Sequence, residues 1–157
     1  MIDFGCGYGA FARWLYEREL EFSYIGYDVS KHMIAAAKKI NSIQDQCKYT
    51  HLRKTLKEAD YVIASGIFNV RNGFSKTEWK RYVFSELNDM RALARVGMSF
   101  NMLTSYSDRK YMRRDLFYAD PCRVFDYCKR NFSGQVALLH DYGLYEFTVL
   151  VRFSSSG

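Results

Sequence analysis

Asp3-Phe4-Gly5-Cys6-Gly7-Tyr8-Gly9 reads as the end of a strand that runs straight into a glycine-paved turn and then a helix. Glycine permits a positive φ in such a turn and lets backbone amides approach a ligand where a Cβ would clash. A helix beginning near Tyr8 adds oriented N–H groups and the positive end of its dipole. Nineteen residues beyond Gly9 stands Asp28, closing the run Phe22-Ser23-Tyr24-Ile25-Gly26-Tyr27. An acid at the tip of the second strand, about 20 residues on, is where a nucleoside-binding βαβ unit holds ribose hydroxyls. Turn and acid together predict a site for an adenosine-containing cofactor.

Gly5-x-Gly7-x-x-Ala10 also satisfies the looser dinucleotide fingerprint, so the glycines alone leave a nicotinamide or flavin enzyme open. Two details argue otherwise. The third glycine, Gly9, follows Gly7 by two positions rather than three, and an acid, Asp3, precedes the first glycine by two. Like charges repel at short range, so a carboxylate there is awkward beside a pyrophosphate. It suits a cofactor with a cationic sulfonium and an amino group.

Farther along, apolar spacing alternates between helix and strand. A helix is expected from about Tyr8 to Leu20, with Phe11, Trp14 and Leu15 on one face. Ser30 caps a second helix reaching about Ile43, with Ile34, Ala37 and Ile40 as its buried stripe. Cys47 to Leu52 reads as a third strand, and Ala59 to Ser65 as a fourth whose Tyr61-Val62-Ile63-Ala64 run suits a central parallel position. Ser75-x-x-Glu78 is a capping box opening a long helix to about Arg95, with Trp79, Tyr82, Val83, Met90 and Leu93 inward. Met98 to Leu103 makes strand five, and Asp120-Pro121 starts a last helix. Gln135 to His140 and Tyr145 to Phe153 close the chain. A link of about four residues joins antiparallel neighbours, because a parallel pair needs a long crossover.

Asp-x-Gly-x-Gly-x-Gly, a strand-end acid and this order of elements resemble the class I S-adenosylmethionine-dependent methyltransferases, over nearly the whole chain. The resemblance implies an α/β, Rossmann-like three-layer sandwich. Its mostly parallel sheet would have about seven strands in the order 3-2-1-4-5-7-6, with an antiparallel C-terminal hairpin. It implies S-adenosylmethionine as cofactor and S-adenosylhomocysteine as product. The methionine end would lie against Asp3, Gly5, Cys6 and Gly7, with Gly9 completing the turn, and the ribose on Asp28. Val29 becomes an adenine wall or a core residue, and the end of strand three brings His51 and Leu52 near the adenine. Ser65, Gly66, Phe68 and Asn69, leaving strand four, would line the entrance to the methyl group; Phe68 and Asn69 serve equally as loop anchor and turn former. The Asn/Asp-Pro-Pro-Tyr/Phe tetrapeptide that marks methylation of DNA base amines is missing, which disfavours a nucleic-acid acceptor.

Methyl transfer needs alignment above all, and a base only for a poorly acidic hydroxyl. His140, Asp141 and Tyr142 in the last hairpin, and Tyr106 or Asp108 after strand five, are available. His140, Tyr106 and Asn69 are the catalytic candidates; His140 titrates in the useful range, although a lone His at a strand end is also commonly structural. No cluster of His, Cys and carboxylates suggests a metal.

A chain of 157 residues with 48% hydrophobic and 25% charged residues is ordinary for one globular domain. The net charge of +6 permits nucleic-acid contact without requiring it. Arg109-Lys110-Tyr111-Met112-Arg113-Arg114 is the densest basic stretch, either a solvated loop or one that recognises a phosphate or carboxylate. Cys6, Cys47, Cys122 and Cys128 show no zinc or redox spacing and read as reduced thiols of a cytoplasmic protein. The apolar run Tyr61 to Phe68 is far too short to cross a bilayer. Only Met1 and Ile2 precede Asp3, where family members usually carry a helix. Residues 1–153 are therefore expected to be a single methyltransferase domain, N-terminally short and lacking that helix, with 154–157 a flexible tail. A small-molecule acceptor is the leading expectation. An RNA methyltransferase using the Arg109–Arg114 loop and a cofactor-binding module without turnover are the alternatives.

Overall fold

A computed structural model describes residues 1–42 and 46–153. In these residues strands and helices alternate as β1 (Ile2–Phe4), α1 (Ala10–Tyr16), β2 (Tyr24–Tyr27), α2 (Lys31–Ile40), β3 (Cys47–Thr50), β4 (Ala59–Ala64), α3 (Lys76–Leu93), β5 (Ala94–Thr104), β6 (Tyr118–Ala119), α4 (Pro121–Asn131), β7 (Gln135–Leu139) and β8 (Glu146–Arg152). All strands join one sheet in the order β3-β2-β1-β4-β5-β8-β7, with β6 on β5. Pairing is parallel from β3 to β5 and antiparallel for β5–β8 and β8–β7. This is the expected sheet with one addition. β4 accompanies β5 only as far as Phe100, so Leu103 and Thr104 carry backbone groups that β4 does not reach; Tyr118 and Ala119 take them up.

The two faces are filled differently. Ala12 and Leu15 of α1 and Ile34 and Ala37 of α2 are buried with Tyr24, Tyr49 and Cys6. On the opposite face α3 contributes Trp79, Val83, Leu87 and Met90, and α4 Val124 and Cys128, against Ile2, Phe4, Val62, Phe100, Phe147 and Val149. β1 has only three residues, but all are buried, and Ile2 sits between Ile25 and Val62.

Several boundaries differ from those read in the sequence. α1 starts at Ala10 because Gly9, at φ +81°, is left-handed, and it ends four residues before Leu20. Trp14 lies on its outer face beneath the Arg18 guanidinium, and Ala12 with Leu15 does the inward packing. Ile40 and Tyr82 are exposed rather than inward, Leu87 taking the helical position in α3. The expected end of α2 at Ile43, and the tail 154–157, lie outside the described residues. β3 stops at Thr50, where the Thr50 hydroxyl accepts the Leu52 N–H and a short turn follows. β5 begins at Ala94, four residues before Met98, since α3 passes into it directly. The Ser75–Glu78 capping box and the Asp120–Pro121 start of α4 are formed as expected. Among the described residues no helix is long and apolar enough to cross a membrane.

Candidate active site

The glycine turn folds back onto the tip of β2. Gly5 N–H and Cys6 N–H both donate to the Tyr27 carbonyl, at 2.7 and 2.9 Å. Gly5 has φ +91°, and a Cβ there would lie 2.2 Å from Ile67 Cγ2, so both the backbone conformation and the close approach demand glycine. At Gly9 a Cβ would meet Asn41 Nδ2 at 2.5 Å. The Asp28 carboxylate spans the junction: Oδ2 accepts from Gly7 N–H at 3.0 Å and Oδ1 from Ser30 N–H at 2.8 Å. Turn and acid are thus neighbours.

Asp3 lies one strand position before the turn and is 5% exposed. The Tyr24 hydroxyl donates to its Oδ2 at 2.6 Å. Burial pushes its carboxyl up to about 6; the Tyr24 hydrogen bond opposes the shift and the Asp28 charge adds to it. Burial, with the Asp3 and Asp28 charges behind it, pushes the Cys6 thiol up to about 12, so Cys6 is an inert neutral thiol. Among the described residues no cation forms an ion pair with Asp3 or Asp28. Two carboxylates without a counter-charge favour a cationic ligand group and hydroxyl donors.

Two cavities meet at Gly5. One, of about 440 Å³, runs from Asp3 and Cys6 past Phe11 to Ser65, Asn101 and Thr148. The other, of about 170 Å³, is walled by Asp28, Val29, Arg53, Ile67 and Tyr82. Arg53 ion-pairs with Glu86 and Asp89 and lies 5.1 Å from the ring centroid of Phe4, so its charge is compensated and its flat group completes an aromatic wall.

Beyond β4, a polar relay fixes the chain. Gly66 N–H donates to Asn101 Oδ1 at 2.7 Å, and Asn101 Nδ2 donates to Glu146 Oε2 at 2.8 Å. Asn69 Nδ2 donates to Glu146 Oε1 at 3.4 Å, and Asn69 Oδ1 accepts from Leu103 N–H at 3.1 Å. One carboxylate on β8 thereby orients two amides, one on β5 and one on the segment leaving β4.

Of the residues singled out in the sequence, Asp3, Gly5, Cys6 and Ser65 line the larger cavity, and Asp28 and Val29 the smaller. Val29 is 76% exposed, a wall rather than a core residue. Gly7 bonds Asp28, Gly9 caps α1, and Gly66 bonds Asn101. Leu52 is exposed and lines neither cavity. His140 and Tyr106 stand together on the surface, ring centroids 5.9 Å apart, outside both cavities. Asn69 belongs to the relay. The sequence did not single out Asn101, Thr148, Glu146, Arg53 or Tyr82 for the site. The first three come together only when β5 pairs with β8, across 45 residues for Asn101 and Glu146.

Residues 2–95 match the family described as Methyltransferase domain. A Mycobacterium tuberculosis (strain ATCC 25618 / H37Rv) protein, Rv1506c, whose name classes it as a methyltransferase, is 50% identical over 153 residues, 98% of this chain and 92% of that one. The fold is similar to that of magnesium protoporphyrin IX methyltransferase from Synechocystis PCC 6803, solved with bound S-adenosylmethionine, at TM-score 0.67 and 15% identity over 97% of this chain and 69% of that one. It is similar also to a chain of the Pnkp1/Rnl/Hen1 RNA repair complex, at TM-score 0.67 and 17% identity over 97% of this chain and 37% of that one. With half its residues shared along nearly its full length with a methyltransferase-named relative, and the sheet order to match, the chain belongs to the class I S-adenosylmethionine-dependent methyltransferases.

Proposed function

We propose that this methyltransferase moves a methyl group from S-adenosylmethionine to a small-molecule acceptor, with residues 1–153 acting as one domain. The observation that carries the reading is the pair of uncompensated carboxylates, Asp3 and Asp28, joined by a turn without side-chain bulk at Gly5. The residues fit the cofactor. Asp3, uncomfortable as a buried anion, gains a counter-charge from an ammonium group, while the backbone of Gly5 and Cys6 borders the same cavity. Each Asp28 oxygen already accepts one N–H and keeps a second lone pair for a ribose hydroxyl. The smaller cavity, with Val29, Arg53, Ile67 and Tyr82, suits the adenine ring better than Leu52 does.

The bound cofactor supplies an electrophilic methyl on a cationic sulfonium. Ser65, Asn101 and Thr148 border the remaining part of the larger cavity and hold the acceptor in line. Such alignment can contribute roughly 7–11 kcal/mol to lowering the barrier. Asn69 acts as a positioning residue through Glu146 and the β5 backbone. For a hydroxyl acceptor, His140, on the surface beside Tyr106, is the residue assigned to take the proton. The missing DNA-type tetrapeptide supports a small acceptor.

Calorimetric titration with S-adenosylmethionine, S-adenosylhomocysteine and NAD tests the site. The first two should bind and NAD should not. NAD binding as tight as S-adenosylhomocysteine would overturn the assignment of the two carboxylates.

A further inference from the structure

Building on the cofactor and acceptor reading above, we propose that the segment 105–117 is an anion-binding rim and that the acceptor is a phosphorylated small molecule carrying a ring. The segment is fastened beside the β4 exit. Phe117 N–H donates to the Asn69 carbonyl at 2.8 Å, Val70 bridges to Leu116, and Arg71 N–H donates to the Asp115 carbonyl at 3.0 Å. The Arg71 guanidinium donates to the carbonyls of Leu116, Phe74 and Arg114. Ser65 and Gly66, where the methyl is expected, begin the same stretch of chain.

The charges on this rim are not balanced. Arg113 forks onto Asp115, at 3.0 and 2.6 Å, and Asp108 accepts from the Tyr145 hydroxyl at 2.6 Å. Both local acids are therefore engaged. Arg109, Lys110 and Arg114 are exposed, and among the described residues none of them forms an ion pair. On the same segment as these cations stand large aromatics facing water. Tyr111 is 60% and Tyr106 69% exposed. Lys110 Nζ lies 4.7 Å from the Tyr111 ring centroid, which itself is 6.1 Å from that of Tyr145. A planar fork matches phosphate oxygens, and an exposed ring offers a stacking face for a base, a sugar or an aromatic acceptor. The three free cations fall within six residues of one loop. A polynucleotide needs a basic groove that follows its backbone. So compact a cluster fits one phosphate or pyrophosphate group.

The test uses the full chain saturated with S-adenosylhomocysteine, titrated calorimetrically with uridine monophosphate, uridine, inorganic pyrophosphate and a single-stranded RNA oligonucleotide. Pyrophosphate and the monophosphate should bind, uridine at least tenfold more weakly, and added salt should weaken both anions. A triple variant, Arg109→Gln with Lys110→Gln and Arg114→Gln, should lose at least tenfold for both anions and keep its S-adenosylhomocysteine affinity within twofold, which also certifies its fold. Tyr111→Ala should weaken the monophosphate but not pyrophosphate. Absence of anion binding, or anion binding unchanged in the triple variant, overturns the proposal. So does an oligonucleotide that binds more than about a hundredfold tighter than the monophosphate, which would make the acceptor an RNA. Failure of the wild type to bind S-adenosylhomocysteine would instead strike the cofactor reading itself.

Discussion

Asp3 is a carboxylate kept where carboxylates are costly, and the cost has a sign that can be measured. Its folded-state value of about 6 lies above the ordinary 3.8. Below about pH 4 both folded and unfolded chains are protonated and nothing is lost. As pH rises through about 6 the native state must ionise a buried group, and stability falls until both states are charged. Asp3→Asn should therefore be more stable than wild type by an amount growing from near zero at low pH to about 3 kcal/mol above pH 6, read from urea unfolding. Cofactor affinity should move the other way. In wild type, S-adenosylhomocysteine should bind more tightly as pH rises across that window, and the Asn variant should show no such window. Asp28→Ala should weaken S-adenosylhomocysteine at least tenfold by calorimetry, since hydrogen bonds to a charged group contribute about 1.5–3 kcal/mol each. An unchanged dissociation constant would remove Asp28 from the ribose. The position of both acids beside the glycine turn was legible in the sequence because it follows from short-range spacing to the glycines. Leu52 was misplaced because the Thr50 hydroxyl ends β3 early, a local event that strand patterning does not register.

At the level of elements, the relay from β8 through β5 to the β4 exit is a single device. Glu146→Ala leaves the Asn101 and Asn69 amides without their shared acceptor, and the Gly66 segment loses its fixed position. Turnover should fall about tenfold while S-adenosylhomocysteine affinity stays within twofold, because the residues proposed to hold the methionine end and the ribose lie on β1 and in the turns that follow β1 and β2, away from Glu146. Glu146→Gln, which retains one acceptor oxygen, should recover part of the loss in kcat. A matching loss of cofactor affinity would show instead that the relay supports the whole cleft. None of this could be read from the sequence: Asn101 looks like a polar interruption of an apolar strand, and only the antiparallel pairing of β5 with β8 turns it toward Glu146. β6 escaped notice for a similar reason, being two residues whose only reason to be a strand is the unpaired end of β5.

Seen whole, the molecule depends on its last hairpin as much as on its opening turn. Phe147, Val149 and Val151 of β8 are fully or almost fully buried in the same core as Ile2, Phe4 and Val62. Phe147→Ala should cost about 3–5 kcal/mol in urea unfolding, a core truncation rather than a surface change. The strand order was legible because a six-residue link leaves β7 and β8 no choice but to be antiparallel neighbours, and the helices between β1 and β2, β2 and β3, and β4 and β5 dictate parallel crossovers. Precise helix ends were not, since the left-handed Gly9 that sets the start of α1 packs on Asn41 and Tyr49, far along the chain.

The direct passage of α3 into β5 leaves the chain no slack at the seam between Leu93 and Ala94. One added residue there would either rotate the helix by a fraction of a turn or send alternate side chains of the following strand to the wrong side. Insertion scanning should find this seam intolerant to even a single extra codon, whereas the tip around Tyr142 and Gly143 should accept several.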